Sequence, residues 1–249
     1  MTHKRTQIAL ALAGIGVAVL GGSQAAAAAG GSNPAPVSGH YNPHIDPANF
    51  VRKIDNRYLP FKPGTKTVSK GVAEDGKTPQ RDVAVVTHRT RKILGVSCRV
   101  VRDTITSRGE PVERTFDWYA QDKDGNVWYF GENSNDYRHG HWVKSDGSWE
   151  AGVDGAKPGI MMEAHPKRGD SYRQEYYRGH AEDRAKVLGD GGRVTVPYGS
   201  FQHTIATKET TRLEPDIVEK KWYARGVGEI KSQDVKGSDE GFQLVKRER

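Results

Sequence analysis

Beyond Tyr58 the chain is a succession of short runs rich in Val, Ile, Thr and aromatic residues, cut by Gly, Pro and Asp-Gly. No part of that region keeps the period of a long helix, whereas apolar and polar positions alternate repeatedly. Asp-Gly starts at Asp75, Asp124, Asp146, Asp154 and Asp190. That dipeptide favours tight turns because Gly tolerates positive φ. The punctuation predicts strands near 65–72, 80–92, 95–107, 111–122, 126–132, 141–150, 171–178, 193–197, 200–213, 216–224, 227–236 and 241–247. Residues 181–189, AEDRAKVLG, fit a helical turn or a further strand. The connections are too short for parallel crossovers, which need roughly a dozen residues or more. The sheet is therefore expected to be antiparallel and mostly a meander. No fixed-period repeat points to a propeller. The pattern predicts one all-β domain, a curved antiparallel sheet or half-barrel. A short helix should precede it, with Asp46 as cap and Pro47 at its first position.

The N-terminus reads differently. Lys4 and Arg5 precede an uncharged apolar run from Ile8 to Leu20, and Ala25 to Ala29 offer small-residue cleavage positions. This is the three-part pattern of a secretory signal peptide over residues 1–29. The run is shorter than the roughly 18 apolar residues of a membrane-spanning helix. No cysteine follows it, which argues against a lipid-anchored lipoprotein. Residues 30–44, GGSNPAPVSGHYNPH, are expected to form a flexible leader, and 45–249 a single β-rich domain. The protein is expected outside the cell or in its envelope, with no integral membrane segment after cleavage.

The chain carries 38 Lys and Arg against 31 Asp and Glu, and removal of Lys4 and Arg5 leaves 36 basic residues. The signs are intermixed. No basic block with interleaved aromatics tracks a phosphate backbone, so no nucleic-acid partner is expected. Mild basicity suits loose attraction to an anionic cell surface. The lone Cys98 can form no internal disulfide. It alternates with Val96 and Val100 and reads as a buried strand residue.

Residues 117–132, DWYAQDKDGNVWYFGE, hold five of the 21 aromatic side chains. A two-residue turn at Asp124-Gly125 sets Tyr119 opposite Phe130 and Asp117 opposite Glu132. One face then carries Tyr119, Trp128 and Phe130, ending in the two acids. The other carries Trp118, Ala120, Val127 and Tyr129. Opposed carboxylates need a cation, a metal or a raised pKa to coexist. A three-residue loop with Gly125 in a bulge would slip the register by one and part the acids.

Other constellations are less specific. Asp122, Asp124 and Asn126 resemble a loose calcium loop, but Gly125 stands at the wrong place for an EF-hand and the flanks read as strands. Glu150, Asp154, Glu175, Glu182 and Asp183 lie in Gly-rich or aromatic loops, where paired carboxyls could serve glycoside hydrolysis. His139 and His141 could share a metal with His165 or His180, yet no zinc spacing is present. No nucleophile elbow or P-loop occurs.

The stretches IDPANFVRKIDNRYLPFKPGTK, DWYAQDKDGNVWYFGE, GSWEAGVDGAKPGIMM and DSYRQEYYRGHAED resemble an uncharacterised family of secreted or lipoprotein-like bacterial proteins. The likeness runs from Tyr41 to Val245 and implies no catalytic residues. YLPFKPGTK is similar to the first strand of lipoprotein-carrier-like proteins, which implies a concave apolar groove. Val68-Ser69 replaces an aromatic there, which would shrink the groove.

Three readings follow. The leading one is a secreted, non-catalytic binding or envelope protein for a hydrophobic or glycan ligand. Its candidate wall is Trp118, Tyr119, Trp128, Tyr129 and Phe130. The second is a carboxylate-dependent hydrolase of envelope polysaccharide using Asp117, Glu132, Glu150, Asp154 or Glu175. The third is a calcium-stabilised structural domain, with Asp122, Asp124 and Asn126 as ligands.

Overall fold

The computed structural model describes residues 33–249. The expected signal peptide lies outside the described residues. One turn of 3-10 helix, Pro47–Asn49, opens the domain, and Asp46 caps it by accepting from the Ala48 amide at 2.9 Å. Every other element is a strand. They are β1 (Phe50–Val51), β2 (Lys66–Val72), β3 (Pro79–Ile93), β4 (Val96–Ser107), β5 (Glu110–Asp122) and β6 (Val127–Arg138). Then come β7 (His141–Lys144), β8 (Trp149–Glu150), β9 (Lys157–Met162), β10 (Ser171–Arg173) and β11 (Glu175–Tyr176). The last are β12 (Asp183–Val196), β13 (Gly199–Thr211), β14 (Val218–Ala224), β15 (Gly228–Lys236) and β16 (Gly241–Glu248).

All pairings are antiparallel, and the result is a nearly closed barrel. Two joins draw the ring together. The first long strand, β2, pairs with the last, β16, from Glu248 opposite Lys66 to Gly241 opposite Val72. The second join is a single segment. β10 pairs with β12 on one edge of the sheet, and β11, only Gln174 later, pairs with β9 on the other. Residues 171–176 are therefore the seam.

Several strands were not legible in full: β1 was not expected, and β6 runs to Arg138, past its expected end at 132. β9 reads KPGIMM, without alternation, because five of its six residues are buried. β12 runs unbroken through Asp190-Gly191-Gly192, which mimics a turn. The chain absorbs that stretch as successive register shifts against β13. The ambiguous 181–189 segment thus belongs mainly to a strand.

The stretch expected as a flexible leader lies, from Asn33 on, across the outside of the seam. Ala35 and Tyr41 are buried, and Pro36 bridges Tyr172. Arg173 donates through its amide to the Ala35 carbonyl at 2.8 Å and through Nε to Pro36 O at 2.9 Å. Tyr41 donates to Pro158 O at 2.5 Å. Its Pro- and Ser-rich composition signals poor self-association, but its few apolar side chains find a docking surface.

The core is continuous through the hairpin of β5 and β6, β9, the seam and the covering segment. Cys98 sits in it with Val96 and Val100, as its alternation implied, and burial pushes its thiol pKa up. A smaller cluster of Val196, Ala224, Ile230 and Leu244 lies where the tip of the β12–β13 hairpin folds onto β16.

Candidate functional site

The hairpin of β5 and β6 does not carry the two-residue turn. Asp122 N donates to Asn126 O at 3.0 Å and Gly125 N to Asp122 O at 3.1 Å, with Gly125 at φ +94°. The loop has three residues, and the register slips by one. Gln121 faces Val127, Ala120 faces Trp128 and Tyr119 faces Tyr129. A bulge at Gly131, with φ +125°, then inserts one residue into β6 and returns Glu132 to its place opposite Asp117. The acid pair forms as expected, through two offsets that cancel.

The aromatic faces are exchanged as a result. Tyr119 and Tyr129 stack inside the barrel at 4.9 Å between centroids, and Phe61 stacks on Tyr119 at 4.5 Å. Trp128 and Phe130 lie on the other face under Phe50 of β1. Trp118 sits beneath the Arg91 guanidinium at 4.5 Å. Of the five expected wall residues, Tyr119 alone borders the interior cavity described below.

Tyr129 joins the two acids. Its hydroxyl oxygen is 2.8 Å from Asp117 Oδ1 and 2.9 Å from Glu132 Oε2. One hydroxyl has one proton. It donates to one carboxylate and accepts from the other, which must itself be protonated. Burial, followed by repulsion from Asp103, pushes Asp117 up to about 8. Burial, then Asp117 and Glu175, push Glu132 well above the usual carboxylate range. Glu175 Oε2 accepts from Trp149 Nε1 at 2.9 Å, and burial also raises its pKa.

These acids belong to a larger set. The inward positions of the barrel enclose a cavity of about 180 Å³. Asp82, Asp103, Glu113, Asp117, Glu219 and Glu229 border it, with Thr65, Tyr119 and Tyr223. The layers follow from register. Ser69, Asp82, Ile105 and Glu113 form one row across β2 to β5. Asp103 and Thr115 lie in the next, and Val101 and Asp117 in the one after. Burial raises Asp82 and Glu113 well above the carboxylate range, Asp103 adding to the Asp82 shift.

Lys221 is the buried cation of this lining. Its ammonium pairs with Glu209 at 3.0 Å and Glu219 at 3.2 Å. Desolvation would lower its pKa, but these carboxylates override that and hold it well above normal. Tyr223 donates to Glu209 Oε1 at 3.3 Å. On the cavity wall Thr65 Oγ1 is buried without a partner among the described residues, and the carboxyls of Asp82 and Asp103 meet each other, the contact that adds to the Asp82 shift. Sequence reading missed all of this lining except Asp117 and Tyr119.

The remaining candidates disperse. Glu150 pairs with Arg91, and Asp154 is exposed in a turn. Glu182 accepts from the Gly179 amide and pairs with Arg212 at 3.3 Å. Asp183 faces the interior, where burial, opposed by Lys221, brings it to about 6. In the calcium candidate Asp124 is exposed in the turn, and the side-chain oxygens of Asp122 and Asn126 are engaged by N–H donors. Asp122 accepts from Asn126 N, Asn126 Nδ2 and Trp128 Nε1, and Asn126 Oδ1 accepts from Ala164 N. His139, His141, His165 and His180 are exposed and scattered. Among the described residues, no three His, Cys, Asp or Glu side chains are arranged to hold a metal, and no helix is long and apolar enough to cross a membrane.

No family model and no curated protein matches the sequence. Two solved structures are similar in shape. One is a Bacteroides fragilis protein named for export and for a YmcC-like fold, 15% identical with a TM-score of 0.39. The other is a Parabacteroides distasonis protein named as a lipoprotein, 12% identical with a TM-score of 0.42. Each match spans 78% of this chain and 100% of the other. Likeness at this level assigns no function.

Proposed function

We propose that the protein is an exported, non-catalytic binding protein that takes a small polar ligand, rich in O–H or N–H donors, into its barrel. The signal-like N-terminus supports export. The observation that carries the ligand class is the polar cavity wall, where the carboxyls of Asp82 and Asp103 face each other and the buried Thr65 hydroxyl has no partner among the described residues. Buried polar atoms are nearly always hydrogen-bonded, and a donor-rich ligand meets that need. Of the two ligand classes expected from sequence, this wall suits a glycan or amino sugar. A hydrophobic ligand would bury six carboxyl groups against hydrocarbon, at a cost no acyl chain offsets.

The hydrolase reading has one observation in its favour, the Asp117–Glu132 pair with its shared hydroxyl. Asp117 borders the cavity, but Glu132 is 1% exposed and stands behind Tyr129. A substrate in the cavity reaches one acid of the pair, so binding without turnover is the better account.

The test is native against denaturing mass spectrometry of the secreted protein, followed by titration with monosaccharides and amino sugars. Binding that Asp82→Asn and Asp103→Asn weaken is the expected outcome. Turnover of an envelope polysaccharide, abolished by Asp117→Asn, would replace this reading with the hydrolase.

A further inference from the structure

Basic residues gather outside the cavity that the six carboxyls line. A second cleft shows this in concentrated form. It has a volume of about 560 Å³ and is bordered by Arg52, Arg57 and Lys62 from the loop after β1, by Arg99 of β4 and by Arg247 of β16. Asp55 is the one acidic side chain among its described lining residues, and Lys53 already pairs with it at 2.9 Å. Six cations, Arg249 with the five above, are thus left without a counter-charge inside the cleft.

The cleft is built rather than incidental. The loop that supplies three of the cations is pinned from within. Gln121 Oε1 accepts from the amides of Asp55 at 2.9 Å and Asn56 at 2.8 Å. Asn56 Oδ1 accepts from Tyr58 N at 2.8 Å and Leu59 N at 3.0 Å, while its Nδ2 donates to Gly125 O at 2.9 Å. Arg99 is held by neutral acceptors, its Nη1 donating to His88 O at 3.1 Å, so its charge stays unbalanced. Arg247 Nε is buried with no acceptor among the described residues.

We propose that this cleft binds a compact polyanion carrying two or more phosphate groups. Arginine offers a planar fork of donors that matches phosphate oxygens, and five of the six cations are arginines. Each phosphate monoester brings roughly 1.5 to 2 negative charges. About three or four such groups balance six cations, where carboxylates at one charge each would need about six. The cleft abuts the acid-lined interior at Pro60 and Phe61 but shares none of its charged residues.

Calorimetry with pyrophosphate tests the assignment, with citrate as the carboxylate counterpart. Pyrophosphate should bind the unaltered protein more tightly than citrate. Arg57→Gln with Arg247→Gln should weaken it by about tenfold or more, since each lost contact is a charge-assisted hydrogen bond. Lys186→Gln with Arg193→Gln removes the same charge from exposed positions on β12 and should leave binding unchanged. Sedimentation with phosphatidylcholine vesicles containing cardiolipin separates the sources. Binding to vesicles above that to pyrophosphate identifies a lipid headgroup, and the reverse a soluble ligand. No binding to either, equal loss in both double variants, or citrate as tight as pyrophosphate would overturn the proposal.

Discussion

Asp117 and Glu132 stand directly opposite each other on β5 and β6, with the Tyr129 hydroxyl between their carboxyl groups. Their alignment depends on the three-residue loop at Gly125 and the bulge at Gly131, each of which alone would part them. The backbone at Gly131 has φ +125°, and a Cβ there would lie 2.3 Å from Trp149 O.

Gly131→Ala should therefore lose the bulge or displace β8. A loss of at least about 2 kcal/mol is expected, in the range of strained-backbone substitutions. Urea unfolding measures it. A change within about 0.5 kcal/mol, the range of neutral surface substitutions, would mean that the bulge is not needed for the pairing.

Stability should fall as pH rises. Asp117, held up to about 8, and Glu113 and Glu132, held well above normal, bind their protons more tightly folded than unfolded. Folding therefore takes up protons. The stability this supplies is full below about pH 4, where unfolded carboxyls are also protonated, and is lost as pH climbs through about 8. The Tm should decline between about pH 5 and about pH 8. Asp117→Asn should flatten that slope and raise the Tm at its alkaline end. A Tm that rises over this interval would contradict the protonated interior.

Lys221→Met should be costly. It removes the ammonium that pairs with Glu209 and Glu219 and leaves their charges uncompensated. Breaking one side of a buried ion pair costs about 3–5 kcal/mol. Glu209→Gln added to Lys221→Met should recover part of the loss, and a double-variant series by thermal unfolding checks it. Additive losses would show the residues to be uncoupled.

The architecture was legible because alternation and Asp-Gly punctuation are local signals, and most strand positions follow from them. Part of the interior is legible in the same alternation. Val101, Asp103 and Ile105 share one face of β4, as Glu113, Thr115 and Asp117 do on β5. An acid on the apolar face of a predicted strand marks an inward carboxyl, and that signal was in the sequence. The exchange of Tyr129 with Trp128 and Phe130 was not legible, since a one-residue slip flips every side chain and the loop type decided it. The basic cleft draws on residues from Arg52 to Arg247, which only the closed ring brings together.

That ring has a consequence for how the chain reaches its fold. The β2–β16 join makes neighbours of residues at opposite ends of the domain, so contact order is high and folding should be slow. Until the last strand is laid beside the first, the inward carboxyls face bulk water and remain ionised at neutral pH. Proton uptake therefore belongs to the closing step. The rate at which the ring seals should carry a pH dependence.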